Sequence, residues 1–107
     1  MTYSLHFLPE VEEDLMSGYV WYDGKAPGLG EEFLRIFYAC AGDIPRNPML
    51  YPKIQREVRR RLLRRFPYAI YFIIENSRVI VLGVFHCARD PRTVKTKLQD
   101  RESSKKT

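Results

Sequence analysis

No apolar run in this sequence is long or uninterrupted enough to cross a bilayer, which takes about 20 consecutive apolar residues. The opening MTYSLHFLPEVEEDL has neither a charged n-region nor an unbroken apolar h-region. A signal peptide is therefore not expected, and the chain is assigned to the cytoplasm with no membrane partner. Cysteine and histidine are scarce. Cys40 and Cys87 fall one in each half without C-x-x-C spacing, and His6 and His86 are the two imidazoles. This excludes a disulfide framework and a zinc site, so two reduced thiols and no metal or cofactor are expected. The glycine-containing stretch GKAPGLG (Gly24 to Gly30) is followed by no Lys-Ser/Thr pair and contains no Gly-x-Gly-x-x-Gly, which argues against a phosphate-cradling loop. Positive charge is nearly absent from the first half: residues 1–52 hold three Lys/Arg (Lys25, Arg35, Arg46) against eight Asp/Glu, a net −5.

The second half is the reverse. Residues 53–107 hold fifteen Lys/Arg against five Asp/Glu, a net +10, so the chain is a charge dipole along its length. Such asymmetry suits a polyanionic target or an acidic protein partner, the alternative being a solvated basic face kept for solubility. At 107 residues there is room for one domain, with roughly 60–70% of the unfolded surface buried. The positive charge peaks in REVRRRLLRRFPY, where six arginines occupy the positions from Arg56 to Arg65 and run directly into an aromatic segment.

Periodicity outlines the elements. Tyr3, Leu5 and Phe7 alternate with Thr2, Ser4 and His6 as in a half-buried strand, with His6 on the polar side. Pro9 and the acids Glu10, Glu12, Glu13 and Asp14 suit a helix start, where the macrodipole favours negative charge. Leu8, Val11, Leu15, Tyr19 and Tyr22 then line one helical face that Gly24 is expected to stop. A second helix carries Leu29, Phe33, Ile36, Phe37, Cys40 and Ile44 on one stripe and is closed by Pro45 and Pro48. Two amphipathic helices joined so briefly predict an antiparallel hairpin that must cover an apolar surface. Tyr68 to Glu75 and Val79 to Phe85 are apolar on both parities and read as two central strands, joined by an Asn76-Ser77 turn into an antiparallel pair.

Ile54, Val58, Leu62 and Phe66 recur every four residues, as in a helix, although the sheet calls for a third strand here; periodicity leaves both open. On a strand, Arg59, Arg61 and Arg65 would form a row on one side and Arg60 and Arg64 on the other, a planar-donor surface suited to phosphates or carboxylates. His86 shares its parity with Ile80, Leu82 and Val84 at the end of the last strand, with Arg89 and Arg92 beyond it. A lone histidine there is more often structural than catalytic. Residues 93–107, polar and basic, read as a flexible tail appended to a single domain over residues 1–92.

The order strand, two helices, strands, together with WYDGKAPGLGEEF, NPMLYP, EVRRRLLRRFPYAIYFIIE and VIVLGVFHCARDP, resembles the RelE/ParE family of toxins from type II toxin–antitoxin modules, in its ParE-like branch. The resemblance spans residues 3 to about 92. It implies an α+β fold of order β-α-α-β-β-β, an antiparallel sheet covered on one face by a two-helix hairpin, and it makes Glu57 to Arg65 a strand. It implies as partner a cognate antitoxin whose acidic C-terminal segment folds on binding. Ribonuclease members of the family tend to carry an arginine three residues before the tyrosine that corresponds to Tyr71; here that position is Tyr68. The resemblance therefore implies a non-enzymatic toxin that binds and poisons DNA gyrase; the residues themselves argue for a basic docking surface, and Arg59, Arg60, Arg65, His86 and Arg89 are expected to form the target- or antitoxin-binding surface. The competing reading is a ribosome-dependent mRNA endoribonuclease using Glu57, Arg65, Tyr68 and His86, and a third is a non-toxic nucleic-acid-binding domain.

Overall fold

A computed structural model describes residues 2–104. Strand β1 (Ser4–Phe7) leads into helices α1 (Glu10–Lys25) and α2 (Leu29–Asp43). Two 3₁₀ turns, Ile44–Arg46 and Pro48–Leu50, precede strands β2 (Lys53–Gln55), β3 (Val58–Leu62), β4 (Tyr68–Glu75) and β5 (Arg78–His86), and helix α3 (Pro91–Ser104) follows. The five strands form one sheet in the order β1-β5-β4-β3-β2. All neighbours are antiparallel except β1, which runs parallel to β5 along the pairs Ser4↔Arg78 to Phe7↔Val81. The expected β-α-α-β-β-β architecture stands, with a short extra edge strand, β2, and one parallel edge.

The hairpin forms where its sequence pattern places it. Three acids occupy the first turn of α1, and the helix runs one residue past Gly24. Asp23 then turns back to accept hydrogen bonds from the backbone N–H groups of Gly28 (3.0 Å) and Gly30 (3.3 Å), placing a negative charge at the start of α2. The two helices approach so closely that a Cβ on Gly18 would lie 2.6 Å from the Phe33 ring. Phe33, Phe37, Cys40 and Ile44 are fully buried on the expected stripe. They pack on Ile70, Phe72, Val79, Val81 and Val84 of the sheet. The rings of Tyr22, Phe33, Phe66 and Tyr68 meet edge-on or tilted at centroid distances of 4.8–6.0 Å, contacts that add about 0.5–1.5 kcal/mol each beyond area burial.

The other face of the sheet is also covered. Val58, Ala69, Tyr71, Ile73, Ile80, Leu82 and Phe85 form a second apolar cluster with Val94 and Leu98 of α3. Residues 93–104, expected as a flexible tail, are thus helical and packed, and the unit extends beyond residue 92; residues 105–107 of that expected tail lie outside the described residues. The cause is the double-sided apolarity of β4 and β5. A hairpin covers one face, and the remaining apolar face needs its own lid. Asp90 supplies the helix start, its carboxylate accepting the Arg92 N–H (2.9 Å) and its carbonyl the Val94 N–H (3.1 Å), with Pro91 at the first helical position. Among the described residues no helix is long and apolar enough to cross a membrane.

Leu98 is fully buried although it belongs to a helix rich in polar residues. Leu98→Ala is expected to lower stability by about 2–5 kcal/mol, measured by urea denaturation, because the cavity opens inside the second cluster. A loss under about 1 kcal/mol would show that α3 does not cover this face.

Candidate functional site

Strand β3 carries arginines on both faces, and the two faces meet different surroundings. Arg59 and Arg61 sit opposite Phe72 and Ile70, both in the hairpin-side core, so their guanidiniums go to that side. The Arg59 guanidinium donates to the Tyr51 carbonyl oxygen (2.7 Å) and the Met49 carbonyl oxygen (3.4 Å). Arg61 donates to the Tyr51 hydroxyl (2.6 Å) and comes within 3.8 Å of the Asp43 carboxylate, which Arg64 also approaches at 4.0 Å. Arg65 lies past the end of β3 in a left-handed backbone conformation (φ 68°) and pairs with Glu32 at 3.2 Å.

The arginine row expected from strand parity is therefore not a row. Arg59, Arg61, Arg64 and Arg65 are drawn to carbonyls and acids of the first half of the chain, because α2 and the 3₁₀ turns bring Asp43, Glu32 and Tyr51 alongside β3. Arg56 sits in the turn between β2 and β3 with φ 47°. Arg60 alone among the strand's arginines sits opposite Tyr71, on the α3 side.

On that side a cleft of about 320 Å³ opens between the sheet and the start of α3. Arg60, Tyr71, Cys87, Arg89 and Lys95 line it with His86, and Ile54, Gln55, Pro91 and Val94 complete the wall. Burial pushes the Tyr71 phenol above its ordinary value, against the pull of the neighbouring Arg60 guanidinium. Tyr71 thus remains a hydroxyl donor at neutral pH. The Arg89 guanidinium lies over the Phe85 ring at 5.3 Å. The exposed thiol of Cys87 is reduced, as is the buried one of Cys40. No Asp or Glu lines the cleft among the described residues. Its polar groups are mostly donors, so it can hold a phosphate or a carboxylate by charge-assisted hydrogen bonds.

His86 reaches the cleft at its rim, in a different pose from the one strand parity implies. The β4–β5 register shifts between Tyr71↔Gly83 and Phe72↔Val81, leaving an extra residue on β5. Beyond that bulge Val84 joins the hairpin-side core and Phe85 the α3-side cluster. His86 no longer shares a face with Ile80 and Leu82. It pairs with Tyr68, their rings edge-on at 5.2 Å, and its Nδ1 accepts the Ala88 N–H at 2.9 Å.

Of the residues singled out from sequence, the structure brings together Arg60, His86 and Arg89 and leaves Arg59 and Arg65 elsewhere. The alternative catalytic set disperses. Tyr68 and His86 meet, Arg65 turns to Glu32, and Glu57 pairs with Lys53 at 3.1 Å beside the β2–β3 turn, at the opposite end of β3 from the Tyr68–His86 pair. Tyr71, Cys87 and Lys95 were missed. Lys95 carried a signal: Asp90-Pro91 followed by Val94 and Leu98 four apart is a capped amphipathic helix in miniature. Among the described residues no three His, Cys, Asp or Glu side chains converge to hold a metal ion.

No family model and no curated protein sequence matches the chain. Solved structures do. A chain of the chromosomal ParDE toxin–antitoxin system from P. aeruginosa superposes with a TM-score of 0.73 at 17% identity, over 79% of this chain and 96% of that one. The present chain has the RelE/ParE toxin fold. The toxin–antitoxin complex RelBE2 from Mycobacterium tuberculosis is a second neighbour, with a TM-score of 0.54 at 21% identity over 80% of this chain and 99% of that one. The fold places the cleft on the sheet face opposite the helical hairpin.

Three of the seven tyrosines, Tyr22, Tyr68 and Tyr71, have phenols pushed above the ordinary value of 10.0, chiefly by burial. Below that value the phenols are protonated whether the chain is folded or unfolded, so they leave stability unchanged. As pH rises past it the unfolded chain loses these protons first, and folding weakens. Urea midpoints are expected to fall steadily above pH 10, with three tyrosines appearing late in a phenolate-absorbance titration. If no tyrosine titrates late, these phenols are more open to water than the structure shows.

Proposed function

We propose that this chain is the toxin of a type II toxin–antitoxin pair and that it acts by binding its target, DNA gyrase, rather than by cutting RNA. The fold supports the first part. The second rests on the chemistry of the cleft: Arg60, Arg89 and Lys95 converge with the Tyr71 hydroxyl, no carboxylate accompanies them among the described residues, and the set Glu57, Arg65, Tyr68 and His86 is spread over both ends of β3. General acid–base cleavage of a phosphodiester calls for a base and an acid beside one phosphate, whereas docking of an anionic surface calls for oriented donors. The neutralising partner is a cognate antitoxin whose acidic C-terminal segment covers the same donors. Its affinity derives from charge complementarity and from folding upon binding.

Expression of the intact chain without antitoxin is expected to produce DNA breaks and loss of supercoiling, while translation in a purified mixture continues. Arg60→Gln and Arg89→Gln should each reduce growth inhibition about tenfold or more, since each removes a charge-assisted contact of about 1.5–3 kcal/mol. Arg65→Gln should leave it near the original level, because that guanidinium is engaged by Glu32. Messages cut in the translation mixture by the intact chain would overturn binding in favour of the endoribonuclease.

A further inference from the structure

Helix α3 buries two apolar side chains, Val94 and Leu98. Its C-terminal half is held instead by a charged contact. The Arg101 guanidinium grips the Asp14 carboxylate of α1 through two hydrogen bonds, Nη1 to Oδ2 at 2.6 Å and Nη2 to Oδ1 at 3.0 Å. Both side chains are nearly buried, at 11% and 8% exposure. The same Oδ2 accepts the Val84 N–H at 3.1 Å, and Arg101 Nη1 also donates to the Leu82 carbonyl at 3.0 Å. These backbone groups lie on β5 just past Phe7↔Val81, the last pair of the β1 ladder. The ion pair thus takes over the backbone hydrogen bonding where β1 ends.

Gly83 lies between those two groups. A Cβ there would stand 2.6 Å from Arg101 Nη1 and 2.9 Å from the Phe85 ring, so the absent side chain is what admits the guanidinium. Arg101 also lies over Phe85 at 5.0 Å, the ring that Arg89 approaches from the cleft. At the other end of α3, Pro91, Val94 and Lys95 form a wall of the cleft.

We infer that Asp14, Gly83 and Arg101 form a latch that seats α3 on the sheet and so sets the position of Lys95 in the cleft, making Asp14 and Arg101 positioning residues for anion binding. This rests on the reading of the cleft as an anion site. The latch stands apart from the hairpin-side core, whose buried members include no residue of α3. Opening it frees α3 locally and leaves the rest folded. Anion affinity falls because one of three convergent cations loses its fixed place.

The test uses the full chain and two variants that disable the latch differently. Arg101→Met keeps the apolar stem and removes the charge; Gly83→Ala keeps both charges and occupies the space of the guanidinium. Amide hydrogen exchange reads α3, and inorganic phosphate, titrated at constant ionic strength and followed on the Cys87 and Arg89 amide signals, reads the cleft. Exchange over residues 91–104 is expected to rise on the order of 100-fold in both variants, with α1 and β4 unchanged. Phosphate affinity should fall about fivefold or more. Unchanged exchange in α3, an equal rise across all elements, or a loosened α3 with original phosphate affinity would each overturn the proposal. Absence of a saturable phosphate shift in the unsubstituted chain would overturn the anion-site reading and the positioning role with it, the exchange result then deciding the latch alone.

Discussion

The β4–β5 pair is apolar on both faces along the six registered pairs from Ala69↔Phe85 to Ile74↔Val79, and nearly every other feature answers to that. A half-buried antiparallel sheet needs one cover, but this pair needs two. The helical hairpin supplies the first by laying Phe33, Phe37 and Ile44 over Ile70, Phe72 and Val81. The second comes from α3, a helix so polar that it would have little reason to fold by itself. Its seat is made by Tyr71, Leu82 and Phe85, and its closing contact is an ion pair 87 residues apart in sequence. Removing one partner of such a buried pair is costly, about 3–5 kcal/mol, because the other charge is left without compensation.

The same two-cover arrangement creates the cleft. Because α3 begins at Pro91, with only four residues between it and the β5 strand end at His86, its first turn stands beside the β3–β4 ladder without sealing it. The space left between is bordered by whatever β3 and β4 present on that face, namely Arg60 and Tyr71. The arginine-rich stretch thus contributes one guanidinium to the cleft. Arg59, Arg61, Arg64 and Arg65 instead neutralise Asp43 and Glu32 or support the Tyr51 carbonyl, where exposed pairs contribute about 0–1 kcal/mol each. Concentrated charge in a sequence does not become concentrated charge in space when a strand sends alternate residues to opposite sides.

Much of the fold was legible. The stripe from Phe33 to Ile44, the double-parity strands and the Asn76 turn with its positive φ (58°) were readable because each is set by contacts within a few residues. The third strand was not readable from period alone, since Ile54, Val58, Leu62 and Phe66 fit a helix as well as a strand and only the neighbouring β4 chooses between them. The helicity of residues 93–104 was missed because its evidence is an unclaimed sheet face elsewhere in the chain rather than its own composition. His86 was placed on the wrong side because a bulge between Val81 and Gly83 shifts the alternation by one, and no residue there announces a bulge except the glycine itself.

Sequence alone determined which segments are apolar enough to be interior, where the hairpin turns, and how strongly the two halves differ in charge. These are properties of neighbours along the chain, and local sterics and periodicity suffice to set them. The tertiary structure alone decided which arginines are engaged, which one reaches the cleft, and that Arg101 belongs with Asp14. Those outcomes depend on distances between groups remote in sequence, and such distances exist only once the sheet has brought its two covers into place.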